Sequence, residues 1–283
     1  MNGLTFFTLL TLLASWIIAI ALHLLEPNAT LGTKLFTTSI LYAVTMGWQP
    51  LVATWVVRRW VDPPGYLDLG LRSARPGFNL VAVCGAIGFV VAAMFVSVTF
   101  GSASPDLGSP LEPARPSTLV NATLLAFAFL GTIALVWVQA FGEEVGWRGY
   151  FLRRAMERFG SWPGLVLHGA IWGLWYAPVL LLTNSSPGGP APLLRGLGVV
   201  TTCMLMGTLL GWLRLASRSL APVMVANTTL TLGAGLPYLM NGIDAGSRAS
   251  VFGPAGWVVL ILAIAGLLTT RWREAVRLPQ WGA

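Results

Sequence analysis

The sequence predicts an all-α polytopic membrane protein of about eight transmembrane helices, and three observations carry that prediction. Of the 283 residues, 55% are hydrophobic and only 10% are charged, whereas soluble domains carry about 25% charged residues. The mean hydropathy is +0.74. Apolar stretches near the roughly 20 residues needed to cross about 30 Å of hydrocarbon recur along the whole chain. No polar stretch is long enough for a soluble domain, so residues 1–283 read as a single integral membrane domain. The 17 Lys and Arg outnumber the 10 Asp and Glu to give +7, but they are spread singly between apolar segments. That spacing excludes nucleic acid as the partner and makes the lipid bilayer the surrounding medium.

The expected spans are Leu4–Leu25, Leu35–Val57, Phe78–Phe100, Leu119–Gly142, Pro163–Thr183, Leu194–Leu215, Leu220–Met240 and Pro254–Thr270. The first has no Lys or Arg before it and no small-residue cleavage site after it, so it reads as an anchor rather than a removable signal. Pro178 interrupts the fifth and Pro222 the seventh, and His168, Asn227 and Thr231 lie inside them. Such residues face protein or a polar cavity rather than lipid. Basic residues alternate between connections. Arg58, Arg59, Arg72 and Arg75 follow the second span and Arg148, Arg153, Arg154 and Arg158 the fourth, whereas the intervening connections hold only Lys34, Arg115, Arg195 or Arg248. The positive-inside rule then puts both termini in the cytoplasm of a bacterial-type cell and supports an even number of spans. Trp60, Trp147, Trp162 and Trp272, near span ends, fit an interfacial aromatic belt. Cys84 and Cys203 lie in apolar runs without metal or disulfide spacing and read as buried packing residues.

Chemistry concentrates at Phe141-Gly142-Glu143-Glu144-Val145-Gly146-Trp147-Arg148, at the cytoplasmic end of the fourth span. Adjacent carboxylates in apolar surroundings are costly to ionise together, which is how a carboxyl becomes a usable base or acid near neutral pH. Glu144 and Arg148 are i and i+4, so the guanidinium can hold one carboxylate while Glu143, about 100° round the helix, points elsewhere.

These residues resemble the CPBP intramembrane proteases, the Abi or CAAX prenyl endopeptidase type. The family's EExxxR motif matches Glu143-Glu144-x-x-x-Arg148, and its W-G-L-W-H-x-P phrase matches Ile171-Trp172-Gly173-Leu174-Trp175-Tyr176-Ala177-Pro178 except at the histidine. Its S-x-x-P phrase and HxxxN motif correspond to Ser219-Leu220-Ala221-Pro222 followed by Asn227-Thr228-Thr229-Leu230-Thr231. Tyr66-Leu67-Asp68-Leu69-Gly70-Leu71-Arg72 resembles the entry to the family's third span. The resemblance covers about residues 60–240 and implies a CPBP-like helical bundle in which the glutamates and two histidines activate water, through a metal or directly, and an asparagine helps hold the oxyanion. Here those histidines are Tyr176 and Asn227, and the asparagine is Thr231. His168, about 12 Å along the helix from Tyr176, and His23, near the opposite face, read as packing or interfacial residues.

Three functions fit this altered set. The first is a divergent hydrolase of a peptide or prenylated substrate, with Glu143 as base, Glu144 paired to Arg148, and Tyr176 and Asn227 donating to the oxyanion. The second is a repurposed isoprenoid enzyme resembling terpene synthases. There Glu143, Glu144 and Asn227, with Thr231, hold Mg²⁺ on a prenyl diphosphate and Arg148 binds phosphate, since oxygen donors suit Mg²⁺ whereas Zn²⁺ wants imidazole or thiolate. The third is a non-catalytic protein that binds lipid or peptide, such as an immunity protein. Trp172, Trp175 and Tyr176 beside the site fit either an aromatic wall against a prenyl chain or a carbocation or ordinary packing between membrane helices.

Overall fold

A backbone in hydrocarbon must satisfy its own polar groups, and helices do so locally. The computed structural model describes residues 2–25, 45–62, 69–100, 104–105, 119–183, 192–233, 240–241 and 253–269. Its helices are α1 (Gly3–Leu25), α2 (Gln49–Trp60), α3 (Pro76–Thr99), α4 (Leu119–Glu144), α5 (Leu152–Phe159), α6 (Ser161–Thr183), α7 (Pro192–Ser217), α8 (Ala221–Gly233) and α9 (Pro254–Thr269). A π-helical segment, Val145–Phe151, joins α4 to α5. Two-residue strands, β1 (Ser104–Pro105) and β2 (Met240–Asn241), pair antiparallel, with Ser104 opposite Asn241. The fold is all-α and membrane-embedded. Among the described residues, three helices are long and apolar enough to cross a bilayer, Gly3–Ala21, Pro76–Thr99 and Leu193–Ser217, and Pro254–Thr269 is a shorter apolar helix.

Two of the expected spans differ from the structure. Residues 26–44, which hold the first ten residues of the second, lie outside the described residues, and the described helix there is Gln49–Trp60. In the seventh, α8 has 13 residues, about 20 Å of helix, and Met240 lies in β2. A single helix from Leu220 to Met240 is therefore corrected to a short α8.

Helices gain no hydrophobic driving force against one another in lipid, so they associate through close packing, often across small residues. The most extensive pairing, α6 on α7, shows this. A Cβ on Gly169 would lie 2.5 Å from Met204 Cα, and one on Gly173 2.6 Å from Val200 Cα. The same spacing recurs where α4 meets α2: a Cβ on Gly142 would lie 2.5 Å from Gly47 O, and one on Gly146 2.6 Å from Pro50 O. The outward faces are apolar. Ile17, Phe95 and Leu262 are each about two-thirds exposed, at 66%, 68% and 66%, as lipid-facing side chains should be.

Two expectations about single residues are overturned. Trp147 is buried, packed edge-on against Phe7 and Trp175, and is no interfacial anchor; Trp60 and Trp162 are exposed, and Trp272 lies outside the described residues. Cys203 is buried as expected, but Cys84 is exposed on the outer side of α3.

Candidate functional site

The acidic pair closes α4, and the chain then widens into a π turn without interrupting the helical rod. Such turns recur at functional sites because the extra residue per turn re-aims side chains. Here they are accommodated by Gly146, seated on Pro50, and by Gly149, where a Cβ would lie 3.2 Å from Leu69 O. A second anchor fixes the start of α8. Gly70, at φ +78°, allows the guanidinium of Arg214 to lie against its Cα. Leu220 N–H donates to Gly70 O at 2.8 Å, Arg72 Nε donates to Arg218 O at 2.8 Å, and the Ser219 hydroxyl donates to Arg72 O. The two phrases Leu69–Arg72 and Ser219–Pro222, distant in sequence, thus form one clamp that sets where Asn227 falls.

Glu143 and Glu144 are both buried, at 1% and 0% exposure, yet their neighbours differ. Glu143 Oε1 accepts from Gln139 Nε2 at 2.8 Å, and the Tyr176 phenol lies 3.1 Å from Oε1 and 3.0 Å from Oε2. All its direct partners are neutral. Glu144 Oε1 accepts from Arg148 Nη1 at 2.9 Å and from Asn227 Nδ2 at 2.8 Å. The Arg148 guanidinium also lies 4.0 Å from the Trp172 ring centroid, a cation–π contact that strengthens out of water. The structure therefore gathers Glu143, Glu144, Arg148, Trp172, Tyr176 and Asn227 from α4, the π turn, α6 and α8.

Two expected members lie elsewhere. Thr231 is exposed at the far end of α8, one turn beyond Asn227. Trp175 is fully buried; its Nε1 donates to Gln49 Oε1 at 3.0 Å and its ring meets Tyr176 at 4.8 Å, so it props the site from behind rather than lining a substrate face. Its carbonyl accepts from Ser15 Oγ at 2.6 Å, close to Pro178, where the helix lacks a backbone donor.

Sequence reasoning missed Gln139, although it stands one helical turn before Glu143 and i,i+4 spacing was available to find it. It also missed Gln49 and Ser15, which come from α2 and α1 and carry no motif. On the neighbouring segment, Arg154 pairs with Asp62 at 2.5 Å and Tyr150 donates to the same carboxylate at 3.3 Å. Burial first, and the Asp62 charge second, raise the Tyr150 phenol above its ordinary range.

The donor set does not suit a zinc ion. Among the described residues no three His, Cys, Asp or Glu side chains gather, and a tetrahedral site built from an amide, a phenol and carboxylates lacks the preferred nitrogen or sulfur donors. Of the expected Mg²⁺ set, Glu143, Glu144 and Asn227 lie together and are joined by hydrogen bonds. Asn227 turns its NH₂ rather than its carbonyl to Glu144, and Glu144 Oε1 is already shared with Arg148.

Residues 124–232 match the family model described as Type II CAAX prenyl endopeptidase Rce1-like. A curated relative, CAAX prenyl protease 2 of Methanococcus maripaludis, is 28% identical over 92 residues, covering 32% of this chain and 34% of that protein. The chain thus aligns with about a third of that relative's length. The family-model match takes in the stretch that holds the acidic pair and its partners, and both matches support a CAAX prenyl endopeptidase-like, CPBP-type membrane protein.

Proposed function

We propose that this protein is a divergent CAAX-protease-like hydrolase of the bacterial cytoplasmic membrane, cleaving a peptide bond in a peptide or prenylated substrate, with Glu143 as general base. The observation that carries this reading is the division of labour between adjacent carboxylates. Glu144 is paired directly with the Arg148 guanidinium and with Asn227, whereas the hydrogen-bond partners of Glu143 are the neutral side chains Gln139, Tyr176 and Asn227. A carboxylate aimed by neutral groups remains free to take a proton.

In the proposed reaction, a water attacks the scissile carbonyl carbon and gives a proton to Glu143. The oxygen that gains charge accepts from the Tyr176 phenol, which turns from the carboxyl to the oxyanion. As the C–N bond breaks, Glu143 returns the proton to the leaving amine. The exposed apolar faces of the helices put a lipid-attached substrate in the same medium as the site. By the distribution of Arg and Lys, the acidic pair lies at the cytoplasmic end of its span and both termini are cytoplasmic.

Purified protein incubated with prenylated and unprenylated peptides is expected to release the C-terminal fragment, and Glu143→Gln is expected to lower the rate by about 10²–10⁴-fold. Failure to cleave either substrate overturns the reading. Binding without turnover is a second reading, favoured by the contact of the Tyr176 phenol with both Glu143 oxygens, which closes the carboxyl. Tyr176→Phe separates the two. It slows a hydrolase by about 10²–10³-fold, the effect of removing one oxyanion donor, and leaves peptide binding by a non-catalytic protein unchanged.

A further inference from the structure

Buried polar atoms in folded proteins carry hydrogen bonds, so a contiguous set without protein partners marks a place where something else supplies them. Such a set lies on the inner side of the acidic cluster. His168 of α6 is fully buried, and neither Nδ1 nor Nε2 has a partner among the described residues. Its ring stacks on Trp172 at 6.5 Å and lies 6.4 Å from Trp147 and 6.2 Å from Phe151. The α7 backbone closes another side, since a Cβ on Gly207 would be 3.4 Å from His168 Nδ1. His168 is also near enough to Arg148 to interact with its charge.

Arg148 spends Nη1 on Glu144 and its face on Trp172, while its Nε and Nη2, the Trp172 Nε1 and Glu144 Oε2 have no partner among the described residues. Arginine and tryptophan only donate, a carboxylate oxygen accepts, and a neutral imidazole does one at each nitrogen. Donors and acceptors are therefore both present on adjoining side chains, without meeting. Water satisfies both kinds at once, typically through about three hydrogen bonds. A hydrocarbon chain would satisfy neither, a cation would be repelled by Arg148, and an anion would face the Glu144 carboxylate.

We propose that Arg148, Trp172, Glu144 and His168 enclose a site for bound water, and that His168 is a positioning residue that holds Arg148, and through it Glu144, by way of that water. Trp172 of α6 lies against the guanidinium, and His168 stacks on Trp172 one helical turn away. The inference does not depend on the protein being a hydrolase.

The test uses the full chain in lipid nanodiscs with ¹⁵N-labelled histidine. The chain has only His23 and His168, so His23→Gln leaves one imidazole to observe. The expected spectrum is that of a ring hydrogen-bonded at both nitrogens, with magnetisation transfer from water and signals that move in Arg148→Lys. His168→Phe is expected to speed exchange of the Arg148 Nε proton at least tenfold, and His168→Asn, which keeps a donor and an acceptor, is expected to restore most of the protection. A ring free of hydrogen bonds and without transfer from water overturns the proposal, as does unchanged Arg148 exchange in folded His168→Phe. If His168→Phe does not fold, the measurement on the His168 ring decides alone.

Discussion

Glu143 and Glu144 share a helix turn and a degree of burial, so only their partners distinguish them. The Glu144–Arg148 pair is fully desolvated, and breaking one partner of such a pair costs about 3–5 kcal/mol because the other charge is left uncompensated. Arg148→Ala is therefore expected to lower the thermal unfolding midpoint in detergent well beyond the effect of Glu143→Gln, whose neutral partners still find an amide to bond. A midpoint equal to wild type would mean Glu144 is neutralised without Arg148. The family pattern supplies a converse experiment. Tyr176→His with Asn227→His restores both imidazoles beside the acidic pair. Peptide cleavage is expected to rise in the double variant over wild type, and no gain would mean that more than these two residues separates this chain from the family's chemistry. The Glu144–Arg148 contact was legible in the sequence because it is local, four residues apart on one helix. The bonds of Glu143 to Tyr176 and of Glu144 to Asn227 cross 33 and 83 residues, and only the family resemblance suggested that those positions converge.

At the scale of elements, glycine spacing decides where helices touch. Gly142 and Gly146 let α4 and the π turn approach the start of α2, and Gly169 and Gly173 do the same for α6 on α7. Gly173→Val would drive a branched side chain into the α7 backbone, and overpacking of this kind costs about 1–3 kcal/mol. A lowered unfolding midpoint and weakened packing of α6 are the expected outcome. Gly85, on α3, has open space where its Cβ would go. Gly85→Ala is expected to raise stability by up to about 1 kcal/mol, since alanine is the better helix former. If both substitutions moved the midpoint alike, close approach would not be what the glycines provide. These glycines are visible in the sequence as pairs four apart, yet nothing local says which neighbour they meet.

For the whole molecule, membrane embedding follows from composition and from the apolar outer faces. The two cysteines report on it. Cys84 is exposed on α3 and Cys203 buried on α7, so a lipid-soluble maleimide applied to membranes is expected to label Cys84 at least tenfold faster, as read by peptide mass spectrometry. Equal labelling would contradict the packing of α7. Reporter fusions at the two termini are expected to give the same cytoplasmic signal, and opposite signals would break the proposed topology.

The sequence by itself determined the medium, the helical class and the location of the acidic pair, because these depend on composition and on short-range spacing, which local physics reads directly, and its motifs carried the resemblance to the CPBP proteases. It also indicated that the two histidine positions are altered. The tertiary structure decided which carboxylate is paired and which is held by neutral groups, that Thr231 and Trp175 stand outside the working face, and that Trp147 belongs to the core rather than the interface. It also joined Gly70 and Arg72 to the Ser219 turn. Each of these depends on the rotation and depth of one helix against another. In a bilayer those are set by close packing at a few small residues rather than by the hydrophobic pattern, which is nearly uniform along this chain.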